Sequence, residues 1–398
     1  MYNKIISTLL LGGSIFFLAG CGSPEVKTEA TKTEAKKDSV KADSAQTKIS
    51  FDRKYNDIAR FIAGMKEDPG TVIDSSFLKN KEWLKFSQNM ESKWEKYDNT
   101  RMKKISLWTK KEIPAKQEPF TLFYPFSGPD FLNAEIFFPT ADTLVLVGLE
   151  PRGKAPEITA ALKDSLPKYL NEVERSLYAI LNFSFFRTNS MKVDLQSEDV
   201  NGTTPVMMLF LERTGNNVMD VQSIYIDKSG KIIHDTTTSG MIKTKGVEIT
   251  FANNDDKRLR KLFYFSVDLS DGGLKNKAPE FLTFIDHLGR VSTFLKSASY
   301  LMHKTYFSVI RSVILKQSDL VLQDDSGIPV HFFDETEWDN KFYGAYTKPI
   351  PMFSNSFQED LKKAYSDSLH VKALDFGIGY QWHLNKSNLQ LSVKKKKS

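Results

Sequence analysis

Lys154-Ala155-Pro156-Glu157 reappears 123 residues later as Lys277-Ala278-Pro279-Glu280, which points to a chain built from two related units. Further matches keep the same order. Phe183-Ser184-Phe185-Phe186-Arg187-Thr188 pairs with Phe307-Ser308-Val309-Ile310-Arg311-Ser312, and Pro205-Val206 pairs with Pro329-Val330. Upstream, Ala134-Glu135-Ile136-Phe137-Phe138 resembles Val247-Glu248-Ile249-Thr250-Phe251, and Ser127-Gly128 resembles Ser239-Gly240. A shared order with small insertions is what an internal duplication leaves behind. Each unit is expected to run strand, strand, long helix, strand, strand. The helices would open at the repeated motif and end near Leu181 and Leu315, and the Pro-Val pairs would each open an apolar strand. The fold class expected is α+β, with units over 119–238 and 239–393.

Ahead of the units, 51–118 reads as helical. Phe51, Tyr55, Ile58, Ala59 and Ile62 recur at helix spacing, and Gly64 with Asp68-Pro69-Gly70 stops the run. Trp83, Phe86, Met90, Trp94, Tyr97, Ile105 and Trp108 then share one stripe when each residue advances 100°. The stripe could be an aromatic binding face. Packing on the main body accounts for it without a ligand.

A duplication sorts polar residues. Those shared by both copies serve a scaffold, and those in one copy mark a specialised site. Arg187 and Arg311 are shared, and could cap carbonyls, hold a buried acid or bind a ligand as a pair. Lys296, Tyr300 and His303 occupy i, i+4 and i+7 of the expected second helix, where the first copy has Glu172, Ser176 and Ala179. On one helix face they could supply a cation, an acid and a base, or simply a polar stripe. Gln323-Asp324-Asp325-Ser326-Gly327 offers Asp324 and Asp325 as oxygen ligands or as members of a tight turn. The turn explains the spacing without a metal. Tyr124-Pro125-Phe126-Ser127-Gly128-Pro129-Asp130 is a stiff loop in which Ser127 and Asp130 stand among aromatics. It could line a pocket or turn a corner between two strands.

Outside the body, the only cysteine of 398 residues, Cys21, ends the run Leu18-Ala19-Gly20-Cys21 behind an apolar stretch that Lys4 introduces. The stretch is shorter than the roughly 20 residues needed to span a bilayer. The run resembles the lipobox of bacterial lipoproteins, cut by the type II signal peptidase. That resemblance implies a signal peptide over 1–20 and a lipid anchor on Cys21, hence a protein attached to a membrane of the cell envelope without crossing it. Gly22 after the cysteine favours the outer membrane over the inner. Residues 22–50 have no aromatic residue and near-balanced charge, the composition of a disordered tether. The formal net charge is +6, but Lys394 to Lys397 supply four of those charges in a basic tail over 394–398. The near-neutral remainder excludes a nucleic-acid partner argued from charge.

No Gly-x-Ser-x-Gly, His-Glu-x-x-His, Cys-x-x-Cys, Walker or dinucleotide motif occurs, and no cofactor or metal is implied. The strings YPFSGPDFL from Tyr124, GLEPRG from Gly148, KSASYLMH from Lys296, QDDSGIP from Gln323 and FGIGYQW from Phe376 resemble a family of bacterial proteins with no assigned activity. That resemblance transfers no catalytic residue. The function expected is a non-catalytic binding or envelope-assembly lipoprotein, with an envelope protein as a candidate partner. The alternative is a hydrolase or lyase acting in a cleft between the two units.

Overall fold

A computed structural model describes residues 53–116, 119–183, 202–234, 244–366, 370–383 and 385–396. Cys21, the tether, Ser184 to Thr188 of the Phe183 match (Arg187 included) and the Ser239-Gly240 match lie outside the described residues. Residues 49–398 form one compact unit.

The N-terminal segment is helical, as its periodicity predicts. Helix α1 (Arg53–Ile62) buries Ile58, Ala59, Phe61 and Ile62. It ends where Gly64, at φ +63°, lets the Met65 amide reach the Arg60 carbonyl and its own amide reach Phe61. That left-handed stop needs glycine because a Cβ there is strained. After the short α2 (Ser75–Leu78), Asn80 caps α3 (Lys81–Tyr97) through the Glu82 amide. A π-turn at Asp98–Met102 leads into α4 (Lys103–Glu112). The aromatic stripe is core. Trp83 stacks on Phe61 at 5.5 Å, Trp94 meets Phe210, and Trp108 sits edge-on to Tyr343 at 4.9 Å.

The body is α+β, and among the described residues eleven strands form one sheet. The strands are β1 (Thr121–Tyr124), β2 (Thr143–Gly148), β3 (Asn216–Ile226), β4 (Ile232–Ile233), β5 (Thr244–Asn253) and β6 (Leu259–Ser266), then β7 (Val291–Leu295), β8 (Ser318–Gln323), β9 (Trp338–Gly344), β10 (Val371–Lys372) and β11 (Asn388–Lys394). Their order is β10-β9-β11-β8-β7-β1-β2-β6-β5-β3-β4. The middle five, β8-β7-β1-β2-β6, are mutually parallel, and antiparallel strands extend both flanks. Strands from 119–238 and from 239–394 therefore interleave in blocks within one sheet.

Parallel strands are buried on both faces, and their side chains show it. Leu122, Tyr124, Leu144 and Leu146 point into one core, while Phe123, Val145 and Val147 point into the other. The first core is completed by the N-terminal helices with α5 (Phe131–Phe137), α6 (Leu166–Phe183) and α7 (Thr204–Arg213). The second takes α8 (Pro279–His287) and α9 (Ser308–Gln317). A last helix, α10 (Glu359–Ser366), lies near the C-terminus. Each apolar side chain buried this way contributes about 1.5–3 kcal/mol.

Several expectations need correction. The long second helix does not exist. It breaks at Gly289 (φ +67°), and Val291–Leu295, five buried residues rich in β-formers, become strand β7. The repeated motifs do not fold alike. Lys154–Glu157 is irregular, whereas Pro279 opens α8. Ala134–Phe137 lie in α5, but Val247–Phe251 lie in β5. Pro205 and Val206 sit in α7 rather than a strand, and Val330 starts a 3-10 turn. The basic tail begins inside the sheet. Lys394 closes β11 opposite Trp338 and donates to the Leu315 carbonyl, and the Lys395 amide bonds to Glu337. No described helix is long and apolar enough to cross a membrane.

Candidate functional site

From β1 the chain passes through α5, on one face, to β2. From the neighbouring β7 it passes through α9, on the other face, to β8. The loops leaving the carboxyl ends of β1 and β7 therefore diverge. Such a divergence opens a crevice where ligands of parallel sheets bind. A cavity of about 280 Å³ lies there, lined by residues of 124–150 and 267–307 together with Tyr380.

The loop after β1 forms one wall. The Ser127 amide bonds to the Val147 carbonyl at 2.9 Å, and its hydroxyl accepts the Val147 amide at 3.1 Å. Ser127 thus extends the β1–β2 pairing past the end of the strand. This loop joins a strand to a helix and lines a pocket, so the corner between two strands is not what it makes. Asp130 ends it by capping α5 through the Asn133 amide.

Asp130 and Lys296 meet across the crevice. Lys296 Nζ lies 2.9 Å from Asp130 Oδ2, and both side chains are 2 % exposed. The Tyr124 hydroxyl donates to the same carboxylate at 2.9 Å, and Asn133 Nδ2 donates to it as well. Burial and the Asp130 charge push the Tyr124 phenol well above its ordinary value.

The second wall, 296–300, has an uncommon backbone. Ser297, Ser299 and Tyr300 all hold φ near +52°, and Phe126 opposite holds +61°. Only one other described non-glycine residue, Lys257, has a positive φ. Such residues cost of order 1–3 kcal/mol each and persist only where neighbours enforce them. The 324–326 turn does the enforcing. Asp324 Oδ2 accepts the Ser297 amide at 2.9 Å, Ser326 Oγ accepts the Ala298 amide at 2.7 Å, and Asp325 accepts the Tyr300 hydroxyl. The Tyr380 hydroxyl donates to the Ser297 carbonyl at 2.8 Å.

Asp324 and Asp325 thus make a turn, as the spacing suggested, but a buried one whose carboxylates serve the neighbouring loop. No group of three or more His, Cys, Asp or Glu among the described residues could hold a metal ion. Lys296, Tyr300 and His303 do not share a helix face. Lys296 follows a strand, Tyr300 sits in the left-handed region, and His303 ends a 3-10 turn. Lys296 lines the cavity, while Tyr300 and His303 do not. Arg311 donates to the Met302 and Lys304 carbonyls and lies over Phe332, so it binds carbonyls rather than a ligand.

Glu150, absent from the candidates, is the main addition. It stands two residues past the end of β2, is 4 % exposed and lines the cavity beside Gly128 and Gly148. A Cβ on Gly148 would come within 2.4 Å of Glu150 Oε2, so glycine is required there for space. An acid just past the apolar run Leu144–Val147 was the available signal, in Gly148-Leu149-Glu150.

No family model matches this chain, and no curated protein matches it significantly.

Burial sets a pH dependence. It raises Asp325 to about 7, with the Asp324 charge adding to the effect, and raises Glu67 to about 7 and Glu212 to about 8. Each of these stabilises the fold below its unfolded value and loses that contribution as pH rises through 7 to 8. His303 is lowered to about 4 by burial, so its contribution is present above 6.5 and lost as pH falls toward 4. The three acids outweigh one histidine. The thermal midpoint should fall by several degrees from pH 5.5 to pH 8, and Asp325→Asn should flatten that slope. Equal midpoints at the two pH values would contradict the assignment.

Proposed function

We propose that this chain is a lipid-anchored bacterial envelope protein, attached through Cys21, that binds a small molecule in the crevice between the 124–130 and 296–300 loops. One observation carries the binding reading. Three of the five described non-glycine residues with positive φ, Phe126, Ser297 and Ser299, line this cavity, and a fourth, Tyr300, follows Ser299 in the same loop, where two loops are braced by buried polar side chains. A corner with no ligand would be served by glycine at no such cost. The anchor reading rests on the Leu18–Cys21 run, and Gly22 favours the outer membrane. An envelope protein partner fits the same anchoring. The two-unit duplication is not needed for the site, since both stretches of chain contribute to one crevice.

The hydrolase or lyase reading is weaker. The Ser127 hydroxyl is engaged with the Val147 backbone, Lys296 is paired with Asp130, and His303 does not line the cavity. The Ser299 and Tyr380 hydroxyls do meet at the cavity, 2.9 Å apart, but burial pushes the Tyr380 phenol up to about 12, which leaves it protonated and a poor base for the serine. Native mass spectrometry of the protein taken from its own membranes tests the binding reading. A non-covalent small molecule should accompany the folded chain and leave on denaturation. A chain that carries none would contradict it.

A further inference from the structure

The charges of the cavity do not cancel, and their remainder selects a ligand. Lys296 and Asp130 neutralise each other at 2.9 Å. Asp268, on the rim, accepts the Ser270 amide and faces Lys277 Nζ at 3.7 Å. Glu150 has no such partner among the described residues. Its Oε2 accepts the Leu149 amide at 3.1 Å and lies 3.4 Å from the Tyr264 hydroxyl, while Oε1 takes no hydrogen bond from any described residue. A carboxylate only 4 % exposed, with one free oxygen toward a cavity, is costly unless a donor meets it there. Gly128 and Gly148 keep the space around it clear. Phe126, Phe307 and Tyr380 supply aromatic faces to the same cavity. Carboxylate and aromatic faces together are what an organic cation binds.

Resting on the binding reading above, we infer that the ligand is a small organic cation whose ammonium or guanidinium group meets Glu150. A carboxylate oxygen beside aromatic side chains suits a charged head with a short carbon body, and an anion would meet Glu150 with repulsion.

Three probes of equal length and different charge test this: n-butylammonium, n-butanol and butyrate, each at about 20 mM, against the thermal unfolding of the full chain. Only n-butylammonium should raise the midpoint. Glu150→Gln, which keeps the Leu149 and Tyr264 contacts, should weaken its binding at least about tenfold. Stabilisation by butyrate or butanol equal to that by the cation would overturn the cation assignment while leaving a binding pocket. Unchanged cation binding in Glu150→Gln would overturn the role of Glu150. If none of the three stabilises the wild-type chain, the assignment falls on the wild type alone, whether or not the variant folds. Native mass spectrometry then decides separately whether the pocket binds anything.

Discussion

Lys296→Met is expected to destabilise the protein by about 3–5 kcal/mol. The cost arises from what is left behind. Asp130 would keep its charge in a site 2 % exposed, with only the Tyr124 hydroxyl and the Asn133 donors to satisfy it. Methionine fills the volume of the lysine stem, so a cavity does not account for the loss. Pairing the change with Asp130→Asn removes the orphaned charge, and the double variant should recover most of the stability. The asparagine introduced there can still accept from Tyr124 and Asn133. Urea unfolding of the wild type, both single variants and the double variant reads the coupling directly. A loss below about 1 kcal/mol for Lys296→Met would mean that the pair is solvated, as exposed pairs are. The crevice would then be more open than described.

Cys21→Ser should release the chain from the membrane. Several acyl chains on one cysteine exceed the two signals needed for stable attachment. Apart from the lysine run the charge is near neutral, so attachment is expected to rest on the lipid on Cys21. The wild-type chain is expected in the membrane fraction through high-salt washing, labelled by fatty acid. The serine variant is expected to be unlabelled and soluble. A serine variant that stays processed and membrane-bound would refute the lipid anchor.

Helix periodicity was the most legible signal. Trp83, Trp94 and Trp108 could be placed on one buried stripe because a 3.6-residue repeat survives the π-turn between them. The five-residue run Val291–Leu295 was not legible, because a short apolar stretch can belong to a helix or a buried strand. Reading it as helix carried Lys296, Tyr300 and His303 onto a face that does not exist. Asp130 and Lys296 each stood out in the sequence, for unrelated reasons. Only the pairing of β1 with β7 brings them together, and register between distant parallel strands leaves no local trace. The repeated motif misled for a similar reason. Short identities such as Lys-Ala-Pro-Glu fix a local turn tendency, and the sheet then decides whether the adjoining residues form helix, strand or loop.

The binding claim is tested most directly by hydrogen exchange on the full chain, with and without the small-molecule fraction of its native cells. The loops that diverge from β1 and β7 should slow together, over 124–130 and 296–301, with 148–150 beside Glu150 slowing as well, while the outer strands β3 and β9 stay unchanged. Slowing confined to other segments, or no slowing at all, would show that the strained crevice is not where this protein binds.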